Sequence, residues 1–517
     1  MNILKTYRGH IRNWAALCEE LGLDVSLPRA EKEEAIILKA YEAWGTEMAH
    51  HIHGMFAFAI WNEEKEELFC LRDQFGTKPF YYYVTEDGNI LYGTMIRDIM
   101  KQPGFKKELN EKMLQLYLTL TYVGGEETFF TGVKKLMPGH YLTWKDGKME
   151  IGRYWRPVFN PDFETSLEDF ADEIHTTLGN IMKEVKTEEE VVESFLSGGV
   201  DSSYVLAMSD AKTADTCGYD DARFDESPLA QQTADTLGVK LNRCLITPEQ
   251  FFGTVPYTME NMEQPLADAS AIVFTIGCNA TAEHAKICYS GEGSDEFFGG
   301  YNMYRNAERY DDPNYFGNTL KDFYVGNTNI MKEEEKKEIL KNYYEDVLPI
   351  NLTKAIYAEN EGCEPLTKMC DVDIQLWLEG DIYLNVDKMS TAAGLEIRMP
   401  LTDTRIFDIA SRMPAKYKVT AEQNKVAFRT AAAKMLPEEV AFRKKLGFIV
   451  PIRIWMADDR YNQDVRAKFA GESAKKFFNV EKIQAIFDEY VNGDSDKWRK
   501  IWTIYTFLVW YDIYFAE

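Results

Sequence analysis

Apolar and polar positions divide the chain into two parts with different patterns. In the first part, apolar residues recur every three or four positions over 15–21 and 33–44, which predicts two helices. Apolar and aromatic runs at 55–61, 67–71 and 80–84 predict strands. The polar, proline-containing segment 157–165 has no period, so we place a domain boundary there and predict an α+β domain over 1–156.

The second part alternates predicted strands with predicted helices. The strands are expected at 191–196, 215–219 and 241–246, and the helices at 227–237 and from Ser202 onwards. Such alternation is typical of a parallel sheet covered by helices, so the predicted fold class is α/β over 167–517. From about Asn306 the chain is predicted to be mostly helical. Its apolar end, 501–515, is too short to span a bilayer and is predicted to be a buried helix.

Composition and charge restrict the possible partners. The chain has 517 residues, and 58 Lys and Arg against 84 Asp and Glu give a formal charge of −26. This charge repels phosphate backbones and anionic membranes, so neither nucleic acid nor a membrane is expected as a partner. Eight cysteines without a C-x-x-C pair, and a start without a signal-like apolar run, favour reduced thiols and a cytoplasmic location.

The strongest local motif reads LSGGVDSS over 196–203, between a predicted strand and a predicted helix. Glycines let backbone N–H groups turn towards an anion, and the helix N-terminus and serine hydroxyls add further attraction. Asp201 adds a carboxylate where magnesium would bridge phosphate oxygens. The alternative is a Gly-Gly turn with Ser202 as a helix N-cap. The motif is neither a P-loop nor a dinucleotide loop, and it resembles the pyrophosphate loop of ATP pyrophosphatases.

A second motif follows a predicted strand at 285–289 and reads SGEGSDEFFGGY over 290–301. Its carboxylates repel one another unless a cation or a proton compensates them. A solvated acidic loop is the alternative, and the flanking strand favours a binding site.

With both motifs, the chain resembles the glutamine-dependent asparagine synthetases over nearly its whole length. Similar segments in the synthetase part are LEIRMPLTD at 395–403 and RKKLGF at 443–448. Similar segments in the glutaminase part are 54–61, 72–79 and 132–140. The resemblance implies an ATP-pyrophosphatase domain, of the adenine nucleotide alpha hydrolase-like type, after an Ntn-type glutaminase-like domain. It also suggests a homodimer.

The resemblance further implies site residues and a reaction. Magnesium on the pyrophosphate would be held by Asp201 and Asp295. The nucleotide would be bound by Leu196, Ser197, Gly198, Gly199, Asp201, Ser202, Cys217, Ser290 and Gly291. Lys445, with Lys444 as the alternative, would stabilise charge as the side-chain carboxylate of aspartate attacks ATP to give β-aspartyl-AMP. Ammonia would then displace AMP to give asparagine, with Glu292 accepting its proton. The alternative role for Glu292 is a carboxylate that starts a helix or supports the magnesium ligands.

The N-terminal part departs from the family. In the family, a cysteine follows the initiator methionine and its own α-amino group serves as base, whereas this chain has Asn2. Cys18 and Cys70 lie in a predicted helix and a predicted strand and have no free amine. Arg8-Gly9-His10 stands where the family has a glutamine-binding Asn-Gly-Glu, and Glu33 replaces a substrate-binding aspartate. We therefore expect impaired glutamine hydrolysis and ammonia as nitrogen donor, whether the reading frame is truncated or the domain is a structural remnant with exposed sheet edges.

Two other interpretations remain open. β-Lactam synthetases and lasso-peptide cyclases also adenylate a carboxylate and lack the N-terminal cysteine, and a non-catalytic nucleotide-binding relative is the second alternative. The set of Asp201, Glu292, Asp295 and Lys445 favours an enzyme. The histidine cluster 50–53 is not predicted to bind metal, because neighbouring positions point in different directions and no further ligand spacing accompanies them.

Overall fold

The structure is a computed structural model that describes residues 1–186, 191–309, 324–326, 328–444, 447 and 449–516. It consists of two compact units. One is formed by Met1–Asn110 and Gly125–Val158, and the other by Glu111–Gly124 and Phe159–Glu517. The domain ranges expected from the sequence, 1–156 and 167–517, stay a prediction.

The first unit is built on antiparallel sheets. Its strands are β1 (Asn2–Ile11), β2 (Gly54–Asn62), β3 (Glu67–Arg72), β4 (Tyr81–Val84), β5 (Ile90–Gly93), β6 (Val133–Lys135), β7 (His140–Lys145) and β8 (Lys148–Arg153). One sheet has the order β1-β2-β3-β7-β8 and the other the order β5-β4-β6. The helices are α1 (Trp14–Leu21), α2 (Arg29–Trp44) and α3 (Ile96–Met100), with a 3₁₀ helix at Gly45–His50. The predicted α+β character is confirmed, whereas β1 was not predicted.

Strand β2 shows why this sheet is buried on both faces. Successive side chains of a strand point to opposite faces. Phe56 and Phe58 pack in a core with the apolar face of helix α2, whereas Ala57 and Ala59 pack on the other face with Phe80 and its neighbours. An uninterrupted apolar run is therefore the expected sequence for this strand.

The second unit contains the predicted parallel sheet. Its strands are β9 (Val192–Phe195), β10 (Thr213–Tyr219), β11 (Lys240–Ile246), β12 (Ile287–Tyr289) and β13 (Glu396–Arg398), paired in the order β11-β10-β9-β12-β13. All these pairings are parallel. Chain order runs outward in one direction from β9 to β11, and β12 and β13 lie on the other side of β9. Strands β9 and β12 therefore flank a topological switch point, where ligands of open α/β sheets bind.

Helices cover this sheet and form the rest of the second unit. They are α4 (Lys112–Leu120), α5 (Leu167–Val185), α6 (Val200–Met208), α7 (Ser227–Leu237), α8 (Pro248–Met262), α9 (Ser270–Ala282), α10 (Ser294–Phe298), α11 (Glu333–Ile339), α12 (Ile350–Glu359), α13 (Pro365–Val372), α14 (Tyr383–Ala393), α15 (Thr404–Arg412), α16 (Ala415–Lys418), α17 (Val426–Ala432), α18 (Glu438–Ala441), α19 (Ile452–Trp455), α20 (Asp459–Ala470), α21 (Glu472–Phe477), α22 (Val480–Val491) and α23 (Trp498–Tyr514). Two 3₁₀ helices, Asn302–Arg309 and Ser495–Lys497, and a π-helix, Asp373–Ile382, complete the described elements. The predicted C-terminal helix is present as α23, with most of its side chains buried. Among the helices that the structure describes, none has the length and apolar composition needed to cross a membrane.

Candidate active site

A cavity of about 330 Å³ opens at the carboxyl ends of β9, β10 and β12, beside the topological switch point. Most residues predicted to bind nucleotide, metal or intermediate line this one cavity: Leu196, Ser197, Gly198, Gly199, Asp201, Ser202, Cys217, Ser290, Gly291, Glu292 and Asp295. Lys444 also lines it. Lys445, predicted to be catalytic, lies outside the described residues.

The loop between β9 and α6 has the shape that its glycines allow. Gly198 has φ of +79°, and a Cβ atom there would lie 2.9 Å from the Cβ atom of Leu229 and 3.0 Å from the backbone nitrogen of Ala230. Helix α6 begins directly after Gly199, so backbone N–H groups at its start face the cavity. The N-cap is Gly199 rather than Ser202, so the alternative interpretation of Ser202 as an N-cap is wrong.

Two serines brace this loop from within. The backbone N–H of Ser197 donates to Oγ of Ser202 at 3.1 Å, and the two hydroxyl oxygens also lie 3.1 Å apart. The N–H of Gly199 donates to Oγ of Ser197 at 3.3 Å. Both serines line the cavity, so their hydroxyls could donate hydrogen bonds to an anion bound there.

The loop after β12 touches the first loop through its backbone. A Cβ atom on Gly291 would lie 2.8 Å from the backbone nitrogen of Ser202 and 2.9 Å from the carbonyl carbon of Asp201. Gly293, with φ of +94°, then starts helix α10. Glycine at these two positions brings the acidic segment against the start of α6. Motifs about 90 residues apart thus form one site.

Lys425 is the functional residue that the sequence analysis missed. Its ammonium nitrogen lies 2.6 Å from Oδ1 of Asp201 and 2.7 Å from Oδ1 of Asp295, and it donates to Oγ of Ser294 at 2.8 Å. Lys425 is buried and has φ of +56°, an unusual conformation for a residue with a side chain. Asn424 holds the preceding position by donating to the carbonyl oxygen of Gly300 at 2.7 Å. No motif in the segment 424–429 would have indicated this contact.

Asp201 and Asp295 suit a magnesium ion. Each carboxylate is partly exposed to the cavity, and both reach the same ammonium nitrogen, so their oxygens converge on one point. Magnesium prefers hard oxygen ligands and is usually held by one or two carboxylates together with substrate phosphates. The donor set therefore fits the ion that the resemblance implies.

Two further carboxyl groups lie beside this pair. Burial raises the pKa of Glu292; Asp295 and Asp201 raise it further, against the opposing effects of its hydrogen bond with Ser290 and of Lys425. Burial and then Asp295 raise the pKa of Glu296 to about 8, while the Tyr301 hydroxyl, 2.5 Å away, lowers it. Both groups therefore favour the protonated form more than an exposed carboxyl group does.

Two arginines connect the segment 441–444 to the site. Arg443 donates to the carbonyl oxygen of Gly198 at 2.6 Å. Arg429 donates to the carbonyl oxygens of Ala441 at 2.7 Å and of Arg443 at 2.9 Å, and its Nε donates to the carbonyl oxygen of Asn424. These bonds hold the segment before Lys444 and Lys445 against the loop between β9 and α6.

In the first unit, Glu33 and Asn2, two positions where the sequence departs from the family, make hydrogen bonds within the fold. The Glu33 carboxylate is buried and accepts hydrogen bonds from the Tyr7 hydroxyl at 2.9 Å, the N–H of Ile11 at 3.0 Å and Nε of Arg29 at 3.3 Å. Asn2 is the first residue of β1 and accepts a hydrogen bond from Asn62 at 2.8 Å.

The cysteines of the first unit are buried within regular structure. Cys18 lies in α1 and Cys70 in β3, as predicted, and burial raises the pKa of both thiols. A raised pKa leaves less thiolate at neutral pH, so neither thiol resembles an activated nucleophile.

The histidine cluster 50–53 is engaged locally. His51 stacks on Trp44 with ring centroids 4.0 Å apart, and His50 lies edge-on to Tyr154. The backbone N–H of His53 donates to Oδ1 of Asn13 at 2.9 Å. The interpretation of this cluster stays a prediction.

Comparisons with known proteins agree with these features. The family model "Asparagine synthase" matches residues 173–512, and the model "Glutamine amidotransferase domain" matches residues 2–155. The chain is 30% identical to "Asparagine synthetase [glutamine-hydrolyzing] 1" of Bacillus subtilis (strain 168), over 98% of this chain and 85% of that protein. It is also 30% identical to a "Putative asparagine synthetase [glutamine-hydrolyzing]" of Mycobacterium tuberculosis (strain ATCC 25618 / H37Rv), over 98% and 84%. A partial match, 29% identical over 54% of this chain and 44% of that protein, is "Amidase chry2" of Gibberella zeae.

Proposed function

The chain belongs to the asparagine synthetase family, and from this premise we propose that it activates the side-chain carboxylate of aspartate with ATP and converts it to asparagine. The observation that carries the proposal is the convergence of Asp201 and Asp295 between two glycine loops at the topological switch point. This arrangement supplies backbone donors for phosphate and carboxylates for its counter-ion in one cavity.

In the first step, the aspartate carboxylate attacks the α-phosphorus of ATP and pyrophosphate leaves. The backbone N–H groups after Gly198 and the hydroxyls of Ser197 and Ser202 bind the pyrophosphate group. Asp201 and Asp295 would hold a magnesium ion, which would supply positive charge against the departing phosphates. Lys425, with its nitrogen between these carboxylates, keeps them in place and adds a fixed positive charge. The family resemblance assigns Lys445 to the charge that develops at the α-phosphate.

In the second step, ammonia attacks the acyl carbon of β-aspartyl-AMP, and AMP leaves. Glu292 accepts the proton that the nitrogen loses on forming the amide bond. Glu292 lines the cavity, and its carboxylate accepts a hydrogen bond from the Ser290 hydroxyl at 3.2 Å. Water would compete with ammonia for the intermediate, so this step requires that bound nucleotide and substrate displace water from the cavity.

We propose ammonia as the nitrogen donor for this chain. The Glu33 carboxylate is buried and accepts hydrogen bonds from Tyr7, Ile11 and Arg29, so it is already engaged within the fold. The buried thiols of Cys18 and Cys70 support the same proposal. The cytoplasmic location and the homodimer stay predictions. Light scattering, which measures the molar mass in solution, would test the homodimer.

The test follows asparagine, AMP and pyrophosphate from aspartate and MgATP, with ammonium and glutamine supplied in separate reactions. Asparagine formed with ammonium alone is the expected result, and Asp201→Asn serves as the inactive control. Asparagine formed from glutamine at a comparable rate would overturn the choice of donor only. ATP cleavage with another carboxylate substrate but not with aspartate would favour a β-lactam synthetase or lasso-peptide cyclase type of reaction. Nucleotide binding without cleavage would favour a non-catalytic relative.

A further inference from the structure

A second group of ligand side chains lies on the parallel sheet. It consists of Glu193 on β9, Asp215 on β10 and His284, two residues after α9. Nε2 of His284 lies 3.0 Å from Oε2 of Glu193 and 3.4 Å from Oδ1 of Asp215, and one ligand atom from each residue lies within 4.8 Å of the others. Three elements that are far apart in the sequence therefore bring three potential metal-binding atoms close together.

Neighbouring polar groups hold this arrangement. Nδ2 of Asn242, on β11, lies 3.0 Å from Oδ1 of Asp215 and 3.3 Å from Nε2 of His284. The hydroxyl of Thr281 donates to Oδ2 of Asp215 at 3.0 Å and so orients that carboxylate. Outer partners of this kind typically fix the ligands of a metal site. An amide rotated by half a turn would present the Asn242 oxygen as a fourth ligand, since the two ends of an amide have the same shape.

The charges in this group require compensation. The Glu193 side chain is 6% exposed and contacts the carboxylate of Asp215, which is 12% exposed. Lys240 on β11 contributes positive charge near Glu193. Two adjacent carboxylates in a buried place are stable only with a proton or a cation between them. The His284 side chain is 40% exposed, so an ion has a route from solvent.

The two spacings from His284 suit a metal ion of zinc type as well as they suit hydrogen bonds from the imidazole to the two carboxylates. Ligand atoms at about 2.0–2.2 Å from a tetrahedral zinc ion lie about 3.3 Å from one another. The distances of 3.0 and 3.4 Å from Nε2 of His284 lie on either side of this value. Imidazole suits zinc and related transition metals, whereas magnesium prefers oxygen ligands and water.

We propose that Glu193, Asp215 and His284 form a binding site for one divalent transition metal ion of zinc type. The ion would be bound separately from the magnesium ion assigned to Asp201 and Asp295. It would join β9, β10 and the end of α9. Asp215 also lines the nucleotide cavity, so the ion would fix part of the wall of that cavity. The proposal goes beyond the proposed function, and its test measures metal content rather than asparagine.

The test uses the full chain, stripped with a chelator and then titrated with zinc chloride by calorimetry, with metal content measured after dialysis. We expect one zinc ion per chain in the wild type, and at least tenfold weaker binding in Glu193→Gln and in His284→Gln. His175→Ala is the matched control, because that ring bonds to the Tyr204 hydroxyl instead. Zinc should raise the melting temperature of the wild type and of the control but not of the two site variants.

Two further measurements separate the proposal from its rivals. Cys217 and Cys244 are paired residues on β10 and β11, so Cys244→Ser tests whether thiols hold the zinc, and cobalt in place of zinc would then lose its thiolate absorption band. Zinc binding that depends on Cys244 and not on His284 would overturn the proposal. A wild type that binds no zinc, with Glu193→Gln more stable than the wild type, would show a shared proton instead and would also overturn it. Zinc content should be unchanged in Asp201→Asn, which separates this site from the magnesium site.

Discussion

The ammonium group of Lys425 forms an ion pair with Asp201 at 2.6 Å, across 224 positions of the sequence. The same nitrogen lies 2.7 Å from Asp295. One buried positive charge thus compensates both carboxylates assigned to magnesium, and it does so at the point where the pyrophosphate would lie. A cation that binds here shares these carboxylates with Lys425, so the lysine is positioned to turn towards phosphate oxygens when MgATP enters.

Replacement of this lysine should lower the activity, and the loss of its charge between two carboxylates should also lower the melting temperature of the protein. We expect Lys425→Met to lower the rate of pyrophosphate release by about 100-fold or more, the usual cost of removing one fixed electrostatic group. The measurement is pyrophosphate release with aspartate, MgATP and saturating ammonium. Lys434→Met is the control, because Lys434 pairs with Asp172 at the surface and should keep wild-type activity. Activity within threefold of wild type in Lys425→Met would show that the lysine only fills space.

Glu292 should separate the two steps of the reaction. General-base catalysis contributes about 10²–10⁴-fold, so Glu292→Gln should lower asparagine formation by about 100-fold. The exchange of pyrophosphate into ATP, which reports the first step, should change by only a few-fold. Equal loss of both activities would instead indicate that Glu292 supports the magnesium ligands.

The pH profile gives a second measure of this residue. Burial raises the pKa of Glu292, and the group acts as a base only when it has lost its proton. The wild-type rate of amide formation should therefore fall as the pH drops through this raised pKa, and Glu292→Gln should lack that limb. Hydroxylamine is the suitable nucleophile, because it stays unprotonated at lower pH than ammonia does. A wild-type profile without an acid limb would contradict the assignment.

The sequence predicted those parts of the fold and site that local patterns determine. The glycine turns at the ends of β9 and β12 were predictable because glycine adopts positive φ readily. The alternation of strands and helices implies the parallel sheet. Strand β1 was missed because its polar residues alternate poorly, and most of its side chains are only half-buried. Strand β13 has three residues and becomes a strand through its pairing with β12. Lys425 and the group of Glu193, Asp215 and His284 depend on contacts between distant segments, which no single-sequence pattern encodes.

The contact between the two glycine loops can be tested with one methyl group. In Gly291→Ala the added carbon would lie 2.8 Å from the backbone nitrogen of Ser202, so the loops must separate. We expect ATP affinity to fall at least tenfold. Gly253→Ala is the control, since its position in helix α8 has open space, and it should stabilise the protein by about 0.5–1 kcal/mol. Fluorescence titration with an ATP analogue measures the affinity. Wild-type affinity in Gly291→Ala would show that close contact of the loops is dispensable.

A buried ion pair beneath the helices gives a prediction about stability. Lys388 on α14 and Glu263, the residue after α8, are fully buried and form an ion pair. Removal of one partner of a buried ion pair typically costs about 3–5 kcal/mol, so Lys388→Met should sharply lower the urea midpoint. The double variant Lys388→Met with Glu263→Gln should regain most of this loss, because no buried charge remains.

The control for this pair is an ion pair at the surface. Lys475 lies 2.6 Å from Glu472, with both side chains exposed, so Lys475→Met should cost less than about 1 kcal/mol. The urea transition is followed by tryptophan fluorescence, to which Trp510 contributes beside the pair, because its indole N–H donates to the carbonyl oxygen of Glu263 at 3.0 Å. A double variant as unstable as Lys388→Met would mean that the lysine stabilises the fold by packing rather than by charge.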